Sequence, residues 1–242
     1  MIENCRGFYE TETGFYPINP SIHIDWNTNS KKLLVKAHEK YVYEYNNEMI
    51  MTKIHRDNGG EYCFSKLDFL SHKLQEIVFP KMTPVVYAAD FSDEIYPSFL
   101  IEKIQLDELH KAYNILHQKE HIGKGQDYFY SKDFFDTAES ENLNEKAQKH
   151  IEGIKKVQLQ FADSINKYGI AFDYAFVNMT WRDEVPVALE MHKCLRKYLF
   201  NYEKAGYYFS NCHQNIEESK DALIILARIK ELFDERQIKE YQ

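Results

Sequence analysis

From position 32 onward, apolar residues come in short runs separated by polar turns: KLLVKA, then YVYEYN, then EMIMTKI, with HEK and NNE between them. β-Branched and aromatic residues fill these runs, so the stretch predicts three strands, arranged either as two hairpins or as a three-stranded meander. The period then changes. Leu67, Leu70, Leu74 and Ile77 recur at three- and four-residue spacing, which predicts a helix from Ser65 to about Phe79, stopped by Pro80 and Pro84. Two further runs, TPVVYAADF and YPSFLIEKI, read as strands, so the first hundred residues have the order βββαββ. Ahead of them, residues 1–30 mix turn-formers and aromatics without a period and are expected to form an irregular arm packed on the body.

Residues 106–145 are charged and aromatic by turns and read as a helix followed by a mobile insertion. Beyond them the pattern is helical. Ala147, Ile151, Ile154, Val157, Phe161, Ile165 and Tyr168 step by threes and fours, the strongest periodic signal in the chain, and Gly169 is placed to cap that helix. After Trp181, RDE suits a turn and VPVALEM a short strand. A final helix is expected to start near Asn215, which with Glu218 forms a capping box, and to carry Ala222, Ile225, Leu226, Ile229 and Phe233 on one face.

Composition narrows the class. A 242-residue chain that is 44% hydrophobic can bury a substantial core, either as one large domain or as two small lobes. A net charge of -8 weighs against a general nucleic-acid binder, which needs a concentrated basic surface, and leaves room for local basic patches. No run reaches the roughly 18 apolar residues of a spanning helix, and the first residues lack a basic segment followed by an apolar one. The expectation is a cytoplasmic chain with no membrane span, delivery by a route that needs no signal peptide being left open. Cys5, Cys63, Cys194 and Cys212 form no C-x-x-C pair and fit free thiols.

The chemistry concentrates in YGIAFDYAFVNMTW and VPVALEMHK, where Asp173 stands five positions before Asn178 and Glu190 twelve positions after it. This segment resembles the catalytic and metal-binding loops of the protein-kinase-like superfamily, in a reduced form like bacterial kinase-like proteins or aminoglycoside phosphotransferases. In such loops an Asp positions the acceptor hydroxyl, an Asn five residues later holds a metal ion, and an acid on the next strand holds the metals that bridge the nucleotide phosphates. The resemblance implies ATP and Mg2+ as cofactors, with Asp173 orienting the acceptor and Asn178 and Glu190 ligating metal. Oxygen donors of this kind suit magnesium. It further implies that Lys53 in IMTKI reaches the phosphates, that Asp68 holds Lys53 extended, and that main-chain groups from Glu102 to Ile104 bond the adenine edge.

The resemblance covers about residues 32–195 and is specific over 168–192. Departures from it are equally plain. AFD stands where protein kinases read HRD, and EMH where they read DFG. Val35, Ala37 and Lys40 occupy the positions of the phosphate-covering glycines, which hinders close backbone approach. About 50 residues follow Glu190, too few for a peptide-binding platform, so the second lobe would be truncated.

The expected architecture is α+β: a two-lobed, protein-kinase-like fold with a small antiparallel-sheet lobe over 31–104 and a reduced, mainly helical lobe over 146–242, joined through 105–145. Its function would be that of an atypical phosphotransferase, with a nucleotide and an unknown protein or small-molecule acceptor as partners and transfer of phosphoryl or nucleotidyl open. The alternatives are a kinase-shaped pseudoenzyme that binds a partner protein, and an unrelated α+β domain. Two weaker constellations stand beside these. His192, Cys194, Cys212 and His213 offer soft ligands for zinc without the usual two-residue gaps, and GKGQ at 123–126 lacks the other elements of a phosphate-binding loop. A Cys/His hydrolase lacks a recognisable nucleophile context.

Overall fold

A computed structural model of the chain describes residues 1–19, 24–36, 40–54, 66–93, 96–105, 163–170, 179–182, 185–188 and 200–236. Its centre is one antiparallel sheet of seven strands: β1 (Phe8–Glu10), β2 (Gly14–Pro17), β3 (Leu33–Lys36), β4 (Lys40–Glu44), β5 (Met49–Ile54), β6 (Val86–Asp90) and β7 (Ser98–Glu102). Their order across the sheet is β1-β2-β6-β7-β5-β4-β3. Of the two arrangements open for residues 32–54, the sheet has the meander, each strand pairing with the next.

Helix α1 (Lys66–Val78) lies between β5 and β6 in the chain, within one residue of its expected bounds at either end. Phe79 N–H still bonds the Gln75 carbonyl, and Pro80 then ends the helix. The faces of the sheet follow from the pleat. Ile50 and Ile54 of β5 join Phe99 and Ile101 of β7 and Ala89 of β6 in the same hydrophobic cluster as Leu67, Phe69, Leu70 and Leu74 of α1. The intervening residues Met51, Ala88 and Leu100 are buried too, but outside that cluster, on the other face.

The first thirty residues depart from expectation. The irregular arm contains β1 and β2, and β2 pairs with β6 to extend the sheet. Gly14 makes that join possible, since a Cβ there would stand 2.0 Å from the Ala89 carbonyl oxygen. Phe8 and Phe15 seal it against α1, Phe15 stacking on Phe69 at 4.3 Å and Phe8 meeting Phe69 edge-on at 5.2 Å. Strands of three and four residues are too short to show an alternating pattern.

The described part of the long expected helix is 163–168, and its earlier residues lie outside the described set. Gly169 caps it as expected, with φ 71° and its N–H on the Ile165 carbonyl. A two-stranded hairpin follows, β8 (Met179–Arg182) with β9 (Val185–Ala188), so Arg182 ends a strand where a turn was expected. Helices α2 (Tyr202–Asn211) and α3 (Ile216–Arg236) complete the described chain.

Asn215 caps α3, accepting from the N–H groups of Glu217 and Glu218 at 3.1 and 3.2 Å. The Glu218 carboxylate does not return to close the box, because it bonds His213 at 3.0 Å and faces Arg6 at 3.7 Å. Ala222, Ile225, Leu226 and Ile229 are buried as the period requires. They pack on α1, so the helix expected in the helical lobe lies on the sheet-bearing half. A buried ion network locks it there. Arg228 donates two hydrogen bonds to Glu10 of β1, at 2.8 and 2.9 Å, and Lys66 approaches the same carboxylate at 3.3 Å. The fold is α+β, as expected. Much of the expected second lobe lies outside the described residues.

Candidate functional site

Lys53 is half-buried on β5 and shares its face with Met51, the face opposite the cluster that contains α1. Strand register gives it neighbours: Tyr41 lies across from it on β4 and Ser98 on β7, while Tyr43 lies across from Met51. Lys53 and Asp68 are not joined in an ion pair. Asp68 is 3% exposed in the first turn of α1, where its carbonyl accepts from the Ser71 hydroxyl at 3.1 Å. The helical period places Asp68 on α1 correctly, but it cannot tell which sheet face Lys53 takes. Further along α1, Glu76 is the ionic hub, bonded by Lys73 at 3.0 Å and by the Val86 N–H at 3.0 Å.

The expected adenine-binding stretch has its first two donors engaged. Glu102 N–H bonds the Val85 carbonyl at 2.8 Å and Lys103 N–H bonds the Glu48 carbonyl at 2.7 Å, both as continuations of the sheet. Of the three positions expected to face adenine, Ile104 is the one whose N–H carries no backbone bond among the described residues. The Glu102 side chain has a different use, since it accepts from the Val85 N–H at 2.9 Å and from Arg182 at 2.6 Å.

That arginine brings the distant hairpin to the sheet. It stands at the closed end of β8–β9, where Arg182 pairs with Val185, and its second terminal nitrogen donates to the Lys81 carbonyl at 3.4 Å. Met179 pairs with Ala188, so the chain enters and leaves the hairpin at the opposite end. Asn178 immediately precedes β8, Glu190 comes two residues after β9, and Asp173 lies upstream of both. These three residues lie outside the described set, as do Ala37, the GKGQ segment, His192 and Cys194. Between the strands, Thr180 and Val187 face one another fully buried, so the hairpin has a packed side.

Distances along the strands are informative. From the Met49–Glu102 pair to the Lys53–Ser98 pair is four residue steps, roughly 13 Å. From Arg182 to Met179 is three steps, roughly 10 Å. Both spans start beside Glu102. Tyr41, Tyr43 and Arg182 stand beside the expected residues and were not singled out by sequence reasoning. Tyrosine in a strand and arginine in RDE carry no motif, and only the register and the docking of the hairpin reveal them.

Other candidate chemistry weakens in the structure. Burial, with Asp221 second, pushes the Cys5 thiol up to about 12, far from a thiolate nucleophile. His213 has both ring nitrogens engaged, one with the Tyr208 hydroxyl at 3.2 Å and one with Glu218 at 3.0 Å, so it cannot join zinc without losing one of them. No group of three metal-ligating side chains occurs among the described residues. A polar recess of about 620 Å³ beside Asp25, Lys31, Glu44 and Tyr45 is internally neutralised, Lys31 pairing with Asp25 at 3.1 Å and Glu44 with Lys103 at 2.6 Å. No helix among the described residues is long and apolar enough to cross a membrane.

No family model matches the chain, and no curated protein does. Among solved structures it is similar to the ADP-bound aminoglycoside phosphotransferase APH(2'')-Ib at 15% identity and TM-score 0.27, over 91% of this chain and 83% of that one. The gentamicin complex of APH(2'')-IIa aligns at 15% identity and TM-score 0.30, over 85% and 82%. The ternary complex of APH(2'')-IIa with streptomycin and ATP aligns at 14% identity and TM-score 0.26, over 85% of each chain. Overlap at this level leaves the reading to the strand order and to the residues above.

Proposed function

We propose that this chain is a kinase-like phosphotransferase that uses ATP with magnesium. The observation that carries the reading is topological. A meander β3-β4-β5, a helix, and a return pair β6–β7 follow the βββαββ order expected of the nucleotide-binding half of such an enzyme, and the β8–β9 hairpin, which Asn178 and Glu190 flank in sequence, is bonded to the end of β7. On this reading adenine lies beside Ile104, and the polyphosphate runs along the strands toward Lys53 and toward the open end of the hairpin.

Each residue then has a task in a reaction that consists largely of positioning and charge neutralisation. Lys53 donates to phosphate oxygens, and Tyr41 and Tyr43 form the roof beside it. Asp173 accepts the proton of the acceptor hydroxyl and aims its oxygen at the terminal phosphorus. Asn178 and Glu190, which flank the hairpin in sequence, are hard oxygen donors, a donor set that fits magnesium. They would hold the ion, which supplies charge neutralisation at the phosphates when bound. The acceptor is a hydroxyl of a protein or of a small molecule.

A second reading, a kinase-shaped module that binds a partner without catalysis, is favoured by two observations. Lys53 forms no ion pair with Asp68, and no glycines stand at 35, 37 and 40 to admit phosphate. Thermal unfolding separates the two. ATP with magnesium at a hundred times its Kd contributes about 2.7 kcal/mol, a rise in Tm of roughly 5–10 °C for a chain of this size. The enzyme reading requires that rise, its loss in Lys53→Met, and a mass increase on the protein or an added acceptor after incubation with ATP. No response to ATP at saturating magnesium would sink it.

A further inference from the structure

We infer that Arg182 is a positioning residue: by clamping the closed end of the β8–β9 hairpin to Glu102, it sets where the hairpin's open end stands relative to the adenine side of the site. The inference rests on the kinase-like reading above and adds a determinant of metal-dependent nucleotide binding to it.

The clamp joins three segments of the chain. The Arg182 guanidinium donates to the Glu102 carboxylate at 2.6 Å, and that oxygen also accepts from the Val85 N–H at 2.9 Å. The acceptor is thus held by the β6–β7 end of the sheet instead of swinging freely. The other terminal nitrogen reaches the carbonyl of Lys81, a residue with φ 70° in the tight link between α1 and β6. A fork with two fixed acceptors defines a direction as well as a distance, which a lysine could not do.

Stability alone is a poor account of this arginine. The two side chains are 23% and 24% exposed, and salt bridges near a surface contribute little. Meanwhile Arg182 Nε is buried without a partner among the described residues, a cost that a smaller apolar residue would avoid. What the clamp does achieve is geometric. The strands pair from Arg182–Val185 to Met179–Ala188, so the short hairpin is positioned as a unit, by the clamp at one end and by the buried Thr180 and Val187 along its length. An error at Arg182 is carried over roughly 10 Å to the end flanked by Asn178 and Glu190. Displacements of about 1 Å are enough to cost up to a hundredfold in a positioned reaction.

The test uses the full chain and measures the Kd for ATP with and without Mg2+, the quantity of interest being the ratio of the two. Arg182→Met is expected to reduce the wild-type ratio about tenfold, Arg182→Lys to recover part of it, and Glu102→Gln to reduce it as Arg182→Met does. Melting temperatures are recorded in parallel. A lower Tm with the wild-type magnesium ratio in both Arg182→Met and Glu102→Gln would make the clamp structural and overturn the inference. If Arg182→Met fails to fold, Glu102→Gln decides by the same ratio. Wild-type protein that binds ATP equally with and without magnesium would also overturn it, while leaving nucleotide binding intact. Absence of any ATP binding removes the kinase-like reading itself, and this inference with it.

Discussion

Removing the Arg228 guanidinium tests how the last helix is fastened to the first strands. Glu10 has a fully buried side chain, and Arg228 supplies two of its hydrogen bonds, at 2.8 and 2.9 Å. Breaking a buried pair by deleting one partner costs about 3–5 kcal/mol, because the other charge is left without compensation. Here Lys66 at 3.3 Å and the Ile2 N–H at 3.2 Å remain on Glu10, which places Arg228→Met near the lower bound, about 3 kcal/mol. Glu10→Gln leaves Arg228 with Glu231 at 2.9 Å and should cost about 2 kcal/mol, the worth of a charged hydrogen bond. In the double variant neither member of the Glu10–Arg228 pair is left facing a missing partner, so its loss should fall short of the sum by about 2 kcal/mol. Equilibrium urea unfolding followed by circular dichroism measures all four proteins. Additivity within about 0.5 kcal/mol would refute the reasoning, since it would mean the network does not act as one.

The same carboxylate gives a pH dependence. Burial alone would raise its pKa, but the hydrogen bonds and charge of Arg228, with Lys66 behind them, outweigh it and hold Glu10 below its ordinary value. A carboxyl depressed in the folded state stabilises above its unfolded pKa, about 4.3, and that contribution drains away as pH falls through the folded value. Wild-type stability should therefore drop below about pH 4.3, and Glu10→Gln should flatten that limb.

Gly169→Ala should destabilise by more than the roughly 1 kcal/mol of left-handed backbone strain, because its Cβ would sit 2.4 Å from Ala205 N at the start of α2. Loss of soluble protein or a large fall in Tm checks this, and a variant of wild-type stability refutes it. A thiol reagent at neutral pH should label the exposed Cys212 at once and leave Cys5 untouched until the chain unfolds. Quantifying the two peptides by mass spectrometry decides it, equal labelling in the native protein being the refuting result.

The sheet meander was legible because β-branched and aromatic residues fill short runs between polar turns, and α1 because its leucines recur at helical spacing. Gly169 was legible because a helix followed by glycine has one common geometry, and its φ of 71° is that geometry. What stayed hidden depends on partners far away in sequence. β1 and β2 are held by Gly14 against Ala89, a contact no local pattern announces. Helix α2 has Gly206 at its middle and buries just Ala205 and Phe209, too few positions to define a stripe. Arg182 looked like a surface turn residue until the end of β7 was placed beside it. Lys53 and Asp68 lie on the strand and the helix that the sequence pattern assigned them. A one-dimensional pattern records that a strand alternates but not which side the following helix covers.

The attachment of α3 to β1 spans 218 positions, from Glu10 to Arg228. On a ribosome, the sheet therefore emerges with the α1 surface that α3 will cover still bare, and that surface closes once Ile216–Arg236 has been translated. Such long separations between contacting residues slow folding and prolong the exposure of apolar side chains. Chains interrupted before residue 216 should consequently be chaperone-bound or degraded, even though every strand of the sheet is already present in them.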